Sequence, residues 1–246
     1  MGKILFLHGF TQSGTLFYKK TSALRKVLSK NGGHTALYPT APIKLSVPDS
    51  ADPEERATLQ GQGIDDDSYA WWTKDDDRLE YEGIDKTWEF LTEYIRTEGP
   101  FVGVIGFSQG AALAAMLCTQ ITTLVPEHGP LKFAVLYSGF RSPLPQHADM
   151  YTPPISTTPT LHVLGSVDTV VSEERSIALW NACDSAARTM YRHPGGHFVP
   201  SSKEALNFAV GWIVATIEAA EKGAAAANGG ADDDEEWESD FDNIGG

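Results

Sequence analysis

The stretch Gly103–Met116, GVIGFSQGAALAAM, reads as two elements and the turn between them. Its first half continues an apolar run from Phe101 that does not alternate, as in a strand covered on both faces. Its second half, Gln109–Leu117, is small and apolar all round, the pattern of a buried helix. Ser108 falls on the turn, inside the pentapeptide Gly106-Phe107-Ser108-Gln109-Gly110, which fits G-x-S-x-G. The two glycines and the alanines at 111, 112, 114 and 115 let helix and strand pack closely. A buried strand feeding directly into a buried helix points to an α/β fold.

The same rhythm extends outward. Lys3–Leu7, Thr35–Tyr38, Phe133–Tyr137 and Thr160–Leu164 read as further buried strands, and Thr189–His193 as a weaker one. Helical patterns cover Thr15–Ser29, Ile84–Ile95, Ser172–Cys183 and Ser201–Ala219. Alternating strands and helices predict a mainly parallel central sheet with helices on both faces, in a single domain. Two segments break the rhythm. Pro39–Tyr81 is Pro-rich, then acidic around Trp71-Trp72, and Arg141–Pro159 is Pro-rich without periodicity. From Gly223 onward the composition is too simple to bury a core, so the domain is set at residues 1–222, with a disordered acidic tail at 223–246.

A serine hydroxyl becomes a nucleophile only with a base in reach, an acid behind the base, and N–H donors for the developing oxyanion. Each has a candidate. The Gln109 N–H directly follows the serine, at a helix N-terminus. The loop His8-Gly9-Phe10-Thr11, after the first strand, offers a second donor, assigned to the Phe10 N–H with Thr11 as the alternative. Asp168 follows the strand Thr160–Leu164, and His197 follows the next strand in a glycine-flanked loop. The order Ser108, Asp168, His197 is that of the α/β-hydrolases. His193 is the rival base, at a strand end before Pro194, and His162 reads as a core histidine.

The bulk properties narrow the partners. The net charge is −14, which argues against nucleic acid or an anionic membrane as partner. Residues 231–246 hold eight acids and no Lys or Arg, leaving −6 on residues 1–230. Two cysteines, Cys118 and Cys183, give no disulfide framework and read as buried thiols. No cofactor fingerprint or metal-ligand spacing appears, so neither cofactor nor metal is expected. The N-terminus lacks a signal peptide, and no run is long enough to span a bilayer. The expectation is a cytoplasmic or nuclear protein that is not secreted.

Taken together, FLHGFTQSG, GFSQGAALAAML, YSGF, LHVLGSVDTVV and HPGGHFVP resemble the fungal family of serine hydrolases. That group includes the LovG-type thioesterases and is related to the ovarian-tumour-candidate hydrolase. The resemblance covers about Lys3 to Ala219, with the motifs in family order. It implies an α/β-hydrolase fold that starts at the oxyanion-loop strand, with a Ser108-Asp168-His197 triad. It also implies hydrolysis of esters or thioesters, in some members release of a polyketide from a synthase. The expected partner is a small acyl ester or thioester, free or carrier-bound. Trp71, Trp72, Phe140 and Phe198 are candidates for an acyl pocket, and Trp71-Trp72 fit equally as anchors of a long loop. The tail, with Trp237 and Phe241 among acids, reads as a solubilising segment or as a linear motif for a basic partner. A hydrolase-fold protein that works through that tail rather than by catalysis is the alternative of another class.

Overall fold

The computed structural model describes residues 2–46, 52–61, 63–65, 67–75 and 79–229. The strands are β1 (Lys3–Leu7), β2 (Thr35–Leu37), β3 (Ile43–Lys44), β4 (Tyr69–Ala70), β5 (Thr73–Asp75), β6 (Glu80–Glu82), β7 (Phe101–Phe107), β8 (Phe133–Tyr137), β9 (Thr160–Gly165) and β10 (Arg188–His193). The helices are α1 (Gly14–Lys20), α2 (Ser22–Gly32), α3 (Pro53–Gly61), α4 (Ile84–Glu98), α5 (Gln109–Leu124), α6 (Glu173–Asn181) and α7 (Lys203–Gly229).

Six strands form one sheet in the order β10-β9-β8-β7-β1-β2, and every pairing in it is parallel. The apolar strands divide their side chains between two cores by strand pleat. Leu5, Leu7, Val104, Ala134 and Leu136 join one cluster, with Leu91, Ile95 and the buried residues of α5. Ile4, Phe6, Ile105, Val135 and Tyr137 join the other, with Phe17, Leu24, Leu28, Val210 and Ile213. Two apolar faces leave no water-facing side, which is why these strands lack alternation. The described residues form one α/β domain, a parallel sheet with an apolar core on each face.

Three elements differ from the sequence expectation. The helix expected over Thr15–Ser29 is split at Thr21 into α1 and α2. There the Thr21 hydroxyl donates to the Phe17 carbonyl at 2.7 Å and lies 2.8 Å from the Tyr38 hydroxyl. Such back-bonding by a β-branched residue bends helices. The segment Pro39–Tyr81 is not structureless, since it carries β3, α3, β4 and β5 and enters β6. It is tied to the loop after β1, where the Tyr69 N–H donates to the Gln12 carbonyl at 3.1 Å. Finally, α7 runs through Gly223 to Gly229, past the expected start of the tail. Trp237 and Phe241 lie outside the described residues. No helix among the described residues is long and apolar enough to cross a membrane.

Candidate active site

Parallel register brings the carboxyl ends of the strands to one edge, where ligands gather in open α/β sheets. Leu7 aligns with Gly106, Phe107 with Tyr137, and His193 with Gly165. Ser108 follows β7 with φ 53° and ψ −115°, a conformation that only tight local packing holds for a residue with a Cβ. Its N–H donates to the Tyr137 carbonyl at 2.9 Å, and its carbonyl accepts from the Ala111 and Ala112 N–H groups at 3.0 Å each. The flanking glycines are required by contact. A Cβ on Gly106 would stand 2.3 Å from the Gly110 oxygen, and one on Gly110 would stand 2.1 Å from the Leu7 oxygen. The serine is thus wedged at the start of α5 by backbone approaching on both sides.

The loop after β1 runs beside it. Thr11 has φ 59°, unusual for a β-branched residue. Among the described residues, neither the Phe10 N–H nor the Gln109 N–H donates to a protein acceptor. His8 holds this loop in place. Its Nδ1–H donates to the Gly9 carbonyl at 2.8 Å, and its Nε2 accepts from the Ala41 N–H at 3.0 Å. That pattern needs a neutral imidazole, and burial lowers the His8 pKa to about 4.

Asp168 and His197 meet from separate loops. The His197 Nδ1 lies 2.8 Å from Asp168 Oδ2, so an Nδ1–H donor leaves the Nε2 lone pair free. The other carboxylate oxygen accepts from the Val170 and Val171 N–H groups, each at 2.9 Å. Burial works to raise the Asp168 pKa. The His197 hydrogen bond and the two N–H groups outweigh it and hold the carboxyl below its ordinary range. The nearby Ser138 hydroxyl adds to this, although it makes no hydrogen bond of ordinary geometry. Ser108 and His197 both line a cavity of about 530 Å³, together with Phe10, Phe107, Phe198 and Val199.

The serine hydrolase family profile, described as Serine hydrolase (FSH1), matches residues 1–209. The chain belongs to this family. It is 35% identical over 216 residues to Family of serine hydrolases 2 of Saccharomyces cerevisiae, covering 85% of this chain and 96% of that protein. It is 38% identical over 213 residues to Esterase OVCA2 of Danio rerio, covering 81% and 91%. Among solved structures, esterase PE8 superposes with a TM-score of 0.60 at 19% identity, over 87% of this chain and 92% of that one. The family and its esterase-named members make this chain a hydrolase that acts on esters.

In this serine hydrolase, the expected pocket aromatics separate. Phe198 lines the cavity and is 50% exposed. Trp71, Trp72 and Phe140 do not line it. Trp71 is wholly buried. Its indole N–H donates to the His8 carbonyl at 2.9 Å, and its carbonyl accepts from the Thr87 hydroxyl. Trp72 stacks on Tyr81 with ring centroids 4.6 Å apart. The Gln109 side chain joins the pair to the elbow, accepting from the Trp71 N–H at 2.9 Å and donating to the Trp72 carbonyl at 2.8 Å. Phe140 packs in the core under the Arg175 guanidinium, 4.2 Å from its ring.

Other residues take structural positions. His193 is buried against Phe198, and its Nδ1 accepts from the Gly195 N–H at 3.2 Å. His162 is buried edge-on to Trp180, and burial lowers its pKa to about 3. Both cysteines are buried free thiols, and burial raises Cys183 to about 11. Among the described residues no group of three or more His, Cys, Asp or Glu is arranged to hold a metal. Sequence reasoning missed Phe17, Lys20 and Val170 on the cavity wall. The spacing of Phe17 and Lys20, three apart on α1, was the available signal, but both read as ordinary helix positions.

Proposed function

We propose that the chain cleaves a carboxylic ester or acyl thioester through Ser108, His197 and Asp168. The observation that carries this is the 2.8 Å His197–Asp168 contact beside a cavity shared by His197 and Ser108. His197 Nε2 takes the Ser108 hydroxyl proton as the oxygen attacks the acyl carbon. The resulting oxyanion accepts from the Phe10 and Gln109 N–H groups, neither of which has a protein acceptor to give up among the described residues. As the tetrahedral adduct collapses, His197 returns the proton to the departing alcohol or thiol. Water then enters with His197 as base and releases the acid, restoring the serine. Asp168 stays ionised, fixing the Nδ1–H tautomer and stabilising the transient imidazolium.

The test is covalent. A fluorophosphonate labels the wild type at Ser108, and Ser108→Ala abolishes the label and lowers ester turnover by a factor on the order of 10⁶. Equal labelling of both proteins would refute the assignment.

A further inference from the structure

Lys20 is, with His197, one of two ionisable side chains on the cavity wall among the described residues. It is the last residue of α1, and Phe17, three positions earlier, lines the same cavity. That spacing turns one face of α1 toward the cavity. Phe10, Phe107, Val170, Phe198 and Val199 give the wall its apolar part, and Thr11, Gln12 and Ser108 add uncharged polar groups. Lys20 has no ion-pair or hydrogen-bond partner among the described residues. Residues 1–230 carry a net charge of −6, so an anionic ligand gains from a local cation at the cavity. Lys19 is also in the last turn of α1, where a cation favours the helix dipole, but it does not line the cavity. The dipole favours both lysines, and only Lys20 also lines the cavity.

We propose that Lys20 selects substrates bearing an anionic group, a carboxylate or phosphate, on the part of the molecule that lies along α1. The proposal rests on the Ser108 hydrolase assignment and adds a substrate class to it. The lysine stem packs along the apolar wall while its ammonium meets the anion. The anion belongs either to the far end of the acyl chain or to the leaving group, and two substrate pairs separate these sources. The first compares mono-p-nitrophenyl glutarate with p-nitrophenyl valerate. The second compares butyryl-coenzyme A with the butyryl thioester of N-acetylcysteamine, which lacks the phosphates.

The readout is the kcat/KM ratio of the anionic to the neutral member, in which a general loss of activity cancels. Lys20→Met is expected to lower one ratio about fivefold, the upper range for one exposed ion pair. Lys20→Glu is expected to lower it further, and added salt to compress it in the wild type. Lys19→Met is the control and keeps both ratios. A drop in the first pair places the anion on the acyl chain, and a drop in the second places it on the leaving group. Unchanged ratios in both Lys20 variants, with neutral esters still hydrolysed, would overturn the proposal and leave the hydrolase assignment standing. A wild type that neither hydrolyses esters nor takes the fluorophosphonate would overturn both.

Discussion

The elbow at Gly106–Gly110 and the tryptophan pair at Trp71-Trp72 are neighbours, joined by the two hydrogen bonds of the Gln109 side chain. They are built differently. The elbow is written in one contiguous motif, and its glycines admit backbone at 2.1–2.3 Å from where a Cβ would sit, from Gly110 beside Gly106 and from Leu7 beside Gly110. The tryptophans are placed by side chains and backbone outside any motif of their own: His8, Thr87 and Tyr81. The comparison teaches that a strand–serine–helix turn announces itself in contiguous sequence even where distant backbone packs against it. Whether an aromatic near it forms pocket or core is a long-range outcome.

Substitutions at the two regions should separate on different instruments. The largest effect on unfolding belongs to Trp71→Ala, which leaves a cavity in the core and loses the indole bond to His8. It should cost about 3–5 kcal/mol in urea or thermal unfolding. If Trp71 served as pocket wall, the change would instead appear in KM at nearly constant stability. Phe10→Pro removes one proposed oxyanion donor and should lower kcat by about 10²–10³-fold. Tm measured alongside separates that from misfolding, and an unchanged kcat would move the donor to Thr11.

His8 links the two regions, because its carbonyl serves Trp71 and its ring holds the loop after β1. Its folded pKa of about 4 lies below the ordinary 6.5, so the unfolded chain binds more protons between those values. The neutral histidine's contribution to stability is therefore full above pH 6.5 and is lost as pH falls toward 4. Urea melts across that window should show a stability slope steeper in the wild type than in His8→Gln by up to about 1.4 kcal/mol per pH unit. Equal slopes would show that His8 does not titrate as its burial requires. The smallest effect on stability is expected for Phe198→Ala. This half-exposed ring should change unfolding by no more than about 0.5 kcal/mol while raising KM for apolar esters. Lost stability with unchanged KM would place Phe198 with the tryptophans rather than with the cavity.

Much of the fold was legible in the chain. The unbroken apolar runs Lys3–Leu7, Phe101–Phe107 and Phe133–Tyr137 are strands because both their faces are covered. The break at Thr21 was not legible, since a hydroxyl back-bond to the Phe17 carbonyl leaves the apolar spacing unchanged. The order of Ser108, Asp168 and His197 was readable because each follows a strand, and parallel strands deliver their carboxyl ends to one edge. The cavity wall was less so. Phe198 was anticipated, while Phe17, Lys20 and Val170 look ordinary until α1 and the loop after β9 are brought together.

By itself, the sequence determined what is local or periodic. It fixed the strand–serine–helix turn, through glycines where no Cβ fits, and the parallel α/β architecture, through runs with no solvent face. Only the tertiary structure decided which side chains share a volume. It put Trp71 and Trp72 in the core, Phe198 at the cavity and Lys20 on its wall. Those outcomes depend on contacts between elements distant in the chain, which composition and spacing do not encode.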